Sequence, residues 1–465
     1  MAIVIPLAKE ETAIVDEVLY NRGYLYFVCL IVALGGVLFG FDMVIISGAL
    51  PFFVKYFHLN EAQTGWAVGC INLGAAAGAL MAGKLSATIG RKRLLIMCAF
   101  LFAITGIGTG WTTDFNAFIF ARLLSGVAVG AAALVCPMYI AEVAPKFLRG
   151  RLVTFYQLAI VTGLLLAYFS NYVLLDSGEN NWRWMFTSQT IPSLFFLTGL
   201  FFVPESPRWL IKENRMQEAL AILSKIGGNS YASFESIAIK NSFLNEIKEK
   251  FKDLWRSDVR HIVFIGTMVA IVSQADGQNS LFSYAPVIFK QAGMTEDAAF
   301  LQAVILGVVN FIFTFVAIKF IDQVGRKKLL LYGSSLLCLD ALALAYCFYA
   351  GVPGFVVLIF VLGFIGIYAA TLGPVTWVLL SEIFPNRVRG SAMAVATLSL
   401  WIANFFTTAS FPILQKSVGL HFTFVIHAAI CFFFFLFVMW KIPETNGKSL
   451  EEIEVQLTKG GDDGQ

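Results

Sequence analysis

A chain of 465 residues that is 58% hydrophobic and only 14% charged, with a mean hydropathy of +0.76, is far more apolar than a soluble domain, where about 45–50% apolar and 25% charged is usual. This excludes a water-soluble globular protein. A net charge of +3, spread by side of the membrane rather than gathered in one patch, excludes a nucleic-acid footprint.

Residues 1–23 carry Lys9, Glu10, Glu11, Asp16, Glu17 and Arg22, with no short apolar core and no small-residue cleavage site, so they read as a cytoplasmic N-terminal segment that stays attached. Windows of about 19 residues then predict twelve spans, near 24–48, 66–88, 94–112, 116–141, 152–175, 184–203, 260–289, 298–321, 328–350, 354–382, 390–413 and 420–441. Each is long enough for a helix to cross a core about 30 Å thick. Strands of a barrel would be shorter and alternating, which leaves an all-α integral membrane fold.

In the first span, Leu34 to Leu50 holds one acid, Asp42, among glycines and apolar residues. An intramembrane carboxylate costs at least roughly 2.5–3.5 kcal/mol and marks a functional site, unless it lies at a boundary and snorkels to water. Counting depth along spans one and four at 1.5 Å per residue puts Arg122 level with Asp42. Arg122, Gly126 and Gly130 also share a helix face. The two residues are expected to pair.

The short loops alternate in charge. One set carries Arg91, Lys92 and Arg93, then Lys146, Arg149 and Arg151, then Arg326, Lys327 and Lys328, then Arg387 and Arg389. That set is cytoplasmic by the positive-inside rule, and an even number of spans places both termini there. Between spans six and seven, residues 204–259 form the one long polar segment, with amphipathic pieces at Pro207 to Ile226 and Phe243 to Trp255. It reads as a cytoplasmic helical linker between an N-terminal six-helix bundle, 24–203, and a C-terminal one, 260–441, which is followed by a cytoplasmic tail, 442–465.

The halves repeat. Gly90-Arg91-Lys92 recurs as Gly325-Arg326-Lys327, Glu142 to Pro145 with Arg149 as Glu382 to Pro385 with Arg389, and Pro204-Glu205 as Pro443-Glu444, at offsets between about 235 and 240 residues. Two parallel six-helix repeats with a site at their interface describe a secondary transporter. The seven cysteines all lie in apolar runs without metal-ligand spacing, and His58, His261, His421 and His427 are scattered. No metal, cofactor or enzymatic constellation is expected.

The motifs Arg122-Leu-Leu-Ser-Gly126, Pro204 to Leu210, Asp322 to Lys327, Gly373 to Trp377, Ser381 to Pro385 and Pro443 to Lys448 carry a resemblance, over essentially the whole chain, to the sugar porter family of the major facilitator superfamily. In pattern the chain is most similar to its bacterial sugar/proton symporters, of the D-xylose carrier type. The resemblance implies the major facilitator fold, a monosaccharide and protons as the carried species, a monomeric chain set in lipid, and a bacterial plasma membrane. It also implies proton coupling at Asp42 and Arg122, because proton-coupled members carry Asp where passive facilitators carry Asn. Moving a guanidinium to or from a buried carboxylate releases or takes up a proton.

The resemblance further implies a sugar site built from Gln157, Gln274, Asn279, Asn310, Trp377 and Trp401, although each amide could equally be a bond between helices. The chain departs from the family pattern at Ser273, Ser283 and Leu400, and Asp276 is an added acid. Those departures leave the identity of the sugar open, and for Asp276 three readings stand, contact with substrate, carriage of a second proton, and a place in a water-filled vestibule, of which the last is the expected one. Asp340, deep in span nine, is expected to make a bond to a neighbouring helix. An intracellular gate is implied at Arg91, Glu142, Arg149, Glu205, Arg208, Arg326, Glu382, Arg389 and Glu444, with Glu142 set beside Arg149, Glu382 beside Arg389 and Glu205 beside Arg208. The alternatives are a passive sugar or inositol-type polyol uniporter and, further off, a non-transporting sugar sensor.

Overall fold

The structure is a computed structural model that describes residues 20–145, 147–244, 251–385, 388–446 and 452. Most of the two terminal segments, with Lys146, Arg387 and Lys448, lie outside the described residues, and among the described residues there is no strand.

The first half comprises α1 (Arg22–Tyr56), α2 (Glu61–Ile89), α3 (Arg91–Trp111), α4 (Phe115–Val143), α5 (Arg149–Val173), α6 (Asn181–Ser188) and α7 (Thr190–Phe202). Three of these helices, α1, α2 and α4, start where side chains satisfy the first free backbone N–H groups. Asn21 accepts from the Tyr24 amide, Asn60 and Gln63 form a reciprocal capping box, and Asp114 accepts from the Ala117 amide. α6 and α7 run on as one membrane-length segment, Asn181–Phe202.

The predicted linker contains α8 (Pro207–Lys212), α9 (Met216–Leu244, broken at Gly228) and a 3-10 turn at Phe251–Trp255. The second half comprises α10 (Ser257–Ala275), α11 (Gln278–Gln291), α12 (Glu296–Val324), α13 (Arg326–Ala350), α14 (Gly354–Ala370), α15 (Leu372–Ile383) and α16 (Arg389–Lys441). α10 with α11, and α14 with α15, form single membrane-length segments, Val259–Gln291 and Gly354–Ile383. α16 has 53 residues, about twice what a core of about 30 Å requires, and it breaks at Gly419, where φ is 80°. It therefore supplies two spans, so the eleven apolar segments among the described residues become twelve.

Within the first half α2 packs along α4, and α1 along α5. The α2/α4 contact is close because Gly74 and Gly78 lie on the Leu123 and Val127 carbonyls, while Gly126 and Gly130 lie on those of Ile71 and Ala75. Side chains at these positions would collide with backbone, and small residues are what let membrane helices approach this closely. Gly163 meets the Val37 carbonyl in the same way, whereas Gly83 touches nothing.

The halves meet through α2 with α16, α5 with α12 and α1 with α11. Their contacts lie away from the basic loops. Tyr168 donates to the Phe282 carbonyl at 2.7 Å, Asn72 to the Thr408 hydroxyl at 3.3 Å, and Lys416 stands 2.5 Å from Glu61. At the basic end the ion pairs Arg91–Glu142 and Arg326–Glu382 each stay within one half.

Candidate functional site

Asp42 lies at the middle of α1 and is 0% exposed; Arg122 on α4 is 1% exposed. Arg122 Nη1 donates to Asp42 Oδ1 at 2.5 Å and approaches the Asp42 carbonyl at 3.4 Å. The boundary position that would let Asp42 reach water is therefore not where it sits. Ser125, three residues on from Arg122 and on the same face, donates a short hydrogen bond to Asp42 Oδ2. The guanidinium carbon stands 5.7 Å from the centre of the Phe186 ring on α6, within cation–π range.

Both carboxylate oxygens are thus held by α4. Among the described residues Arg122 Nε and Nη2 have no hydrogen-bond partner, so the guanidinium is only partly engaged. A buried ion pair whose cation is incompletely bonded is poorly compensated for its lost hydration. The arrangement can exchange one state, ion pair closed, for another in which a proton replaces the arginine. Ser125 and Phe186 were not singled out from the sequence. The three-residue spacing from Arg122 was the available signal for Ser125, and nothing comparable marked Phe186.

The polar residues of the second half gather at the break between α10 and α11. Asn279 donates to Gln274 Oε1 at 2.7 Å, and Gln274 also reaches the Tyr368 hydroxyl on α14. Trp401 on α16 is buried against Phe39 of α1, with ring centres 5.8 Å apart, which places an indole at the boundary between the halves. Asn310 is buried on α12, Gln157 is half-buried on α5, and Trp377 on α15 is 40% exposed. None of these three makes a described side-chain hydrogen bond to the Gln274–Asn279 pair. Asn404 is buried with its Oδ1 unpartnered, and the hydroxyl of buried Tyr284 donates to the Thr408 carbonyl at 2.9 Å.

Asp276 is 1% exposed, so it does not face a vestibule, contrary to the reading from sequence. Asp276 caps the C-terminus of α10 at the break before α11, and the break is buried inside the protein. Asp340 Oδ1 would lie 3.0 Å from a Cβ at Gly363 of α14, while its Oδ2 has no partner. The inter-helix hydrogen bond expected there is not among the described ones.

At the basic end the two halves carry the same construction. Arg91 bonds Glu142 through Nε and Nη2 at 3.0 and 2.8 Å, Ser206 donates to Glu142 at 2.5 Å, and Glu205 accepts from the Arg91 amide at 3.0 Å. In the second half Arg326 bonds Glu382 at 3.0 Å, Thr445 donates to Glu382 at 2.6 Å, and Glu444 accepts from the Arg326 amide at 2.9 Å. Each of Glu205 and Glu444 thus neutralises the positive end of a helix. Each also sits on a glycine, Gly90 or Gly325, with φ of 98° and 94°, a conformation that favours glycine.

The partners differ from those inferred from adjacency in the sequence. Glu142 takes Arg91 and not Arg149, which is exposed at the first residue of α5. Glu382 takes Arg326, while Arg389 Nε donates to the Phe384 carbonyl at 3.3 Å. Arg208 lies over the Phe243 ring at 5.1 Å. The carboxylates end α4 and α15 and face the starts of α3 and α13, which are nearer in space than the arginines one loop further on.

Residues 28–457 match the sequence profile described as Sugar (and other) transporter. The chain is 39% identical to the D-xylose-proton symporter of Escherichia coli (strain K12), covering 94% of this chain and 96% of that one. It is 37% identical to the arabinose-proton symporter of Bacillus subtilis (strain 168), covering 94% and 95%. Among solved structures, the inward open conformation of the xylose transporter XylE from E. coli superposes with a TM-score of 0.84 at 36% identity, covering 93% of this chain and 100% of that one.

Proposed function

Because this chain belongs to the Sugar (and other) transporter family and has the major facilitator fold, we propose that it is a proton-coupled symporter of a monosaccharide, a pentose before a hexose, working by alternating access. The observation that carries this reading is the buried Asp42, held by Arg122 and Ser125 and by no other described side chain. A protonated Asp42 needs no cation and frees Arg122. Loss of the proton draws Arg122 back, so proton occupancy and helix position are linked.

With the basic loops on the cytoplasmic side, the contacts between halves close the outer end, and the arrangement faces inward. Sugar hydroxyls would compete for Gln274 and Asn279, with Gln157 and Asn310 as further hydrogen-bonding groups and Trp377 and Trp401 as apolar faces. A mostly apolar cavity with a few placed polar groups is the usual design of such a site. Arg91, Glu142, Glu205, Arg326, Glu382 and Glu444 would brace the inner ends of each half as a gate, with Arg149, Arg208 and Arg389 available to the outward-facing state. The chain would work as a monomer in a bacterial plasma membrane, with both termini cytoplasmic.

The test is uptake of labelled D-xylose, L-arabinose and D-glucose into proteoliposomes under an imposed inward proton gradient, with and without a protonophore. Accumulation above the external concentration that collapses with protonophore is expected. Uptake that only equilibrates would favour a uniporter.

A further inference from the structure

The break in the seventh membrane-length segment buries three polar groups that no described residue satisfies. α10 ends at Ala275, Gly277 has φ 101°, and α11 restarts at Gln278. A Cβ at Gly277 would stand 2.7 Å from His427 Nδ1, so the imidazole of α16 lies against the backbone that joins Asp276 to Gln278. Asp276, Gln278 and His427 are 1, 3 and 4% exposed. Asp276 Oδ1 accepts the Gln278 amide at 3.0 Å, yet Asp276 Oδ2, Gln278 Oε1 and His427 Nδ1 have no partner.

Few other charges reach this place. From α16 comes Cys431, one turn beyond His427, and from α14 comes Tyr368; both lie within electrostatic range of Asp276. The intramembrane acid of α1, Asp42, is committed to Arg122. The described titratable residues of α12, which also packs on α11, are Glu296, Asp297 and Lys319, toward its ends. Among the described residues no Lys or Arg pairs with Asp276.

We infer that Asp276 and His427 together hold a second exchangeable proton of the transport cycle, in the half opposite Asp42; this rests on the transporter reading above. A bare carboxylate in this interior is costly. One proton on the Asp276 carboxyl removes the cost, and the His427 imidazole, packed against Gly277, is the second group at the break that can carry it. The site takes one proton from water and returns one, and needs no other reactant. Asp276 Oδ2 and Gln278 Oε1 are acceptors that no described donor meets, and a proton on the carboxyl turns Oδ2 into a donor. Coupling to sugar follows from position. Gln274 and Asn279 bond to each other across the same break, so a hydroxyl that competes for them bears on the backbone carrying Asp276 and Gln278.

The experiment measures apparent sugar affinity against pH by tryptophan fluorescence on purified full-length protein, in D42N, D42N/D276N and D42N/H427Q. D42N is expected to retain a fall in affinity of up to about tenfold per rising pH unit, the slope of one linked proton. Either second substitution should flatten it, and two independent variants guard against one that misfolds. A flat profile in D42N that still binds sugar would overturn the proposal, as would a slope surviving in either double variant that still binds sugar. Dependence on sodium at fixed pH would overturn it in favour of a cation site. Failure of the wild type to bind any pentose or hexose would instead contradict the transport reading on which it rests.

Discussion

Arg122 and Asp42 approach to 2.5 Å in the middle of the first bundle with essentially no exposure of either, and Ser125 occupies the remaining carboxylate oxygen. One helix, α4, therefore supplies every described side-chain donor to an acid on another, α1. A shift of α4 against α1 would alter both bonds at once. The glycines that seat α4 on α2 leave little freedom for that shift to occur anywhere but on the α1 side.

Breaking a buried pair by removing one partner costs about 3–5 kcal/mol, because the survivor is left uncompensated. Arg122→Ala should lower stability in detergent by that order. The double variant D42N/R122A should recover most of the loss in a thermal unfolding assay, since no bare carboxylate then remains. Equal losses in the single and double variants would mean that the pair contributes nothing specific.

The two arginines near Glu142 should behave differently. Arg91 makes two bonds to the carboxylate, while Arg149 is exposed. A hydrogen bond to a charged group contributes about 1.5–3 kcal/mol, whereas surface changes usually stay within about 0.5 kcal/mol. R91Q should therefore lower the unfolding temperature measurably and R149Q should not.

Tyr168 ties the halves by its bond to the Phe282 carbonyl. Tyr168→Phe deletes one buried hydrogen bond, a net effect of about 1 kcal/mol, or roughly a fivefold change in a two-state ratio. A cysteine introduced at Val54, which lines a cavity at that end, should react faster with an impermeant thiol reagent in Y168F than in its parent.

Bulk at the α2/α4 contact should be far worse. A Cβ at Gly130 would meet the Ala75 carbonyl, which is backbone and cannot rotate away. Gly130→Val should abolish monodisperse folded protein in size-exclusion chromatography, while Gly83→Val, in open space, should leave it intact.

The sequence made the spans legible because each is a long apolar window, and it made the Asp42–Arg122 pair legible because depth along two antiparallel helices can be counted. It separated the last two spans at 413 and 420 but did not reveal that the helix runs on to a turn at Gly419 alone, since a single glycine carries no loop signature. The recurring charges showed which residues belong to the basic end but not their partners, because adjacency in the chain is not adjacency across a helix bundle. Asp276 was misplaced for a related reason. Its orientation depends on Gly277 adopting a positive φ, a local turn that the apolar pattern around it does not encode.

The most direct test of coupling through Asp42 compares wild type and D42N in proteoliposomes loaded for counterflow and then challenged with an inward proton gradient. The account predicts that D42N still exchanges labelled sugar but no longer accumulates it when the gradient is applied. Gradient-driven accumulation by D42N equal to that of wild type would contradict it.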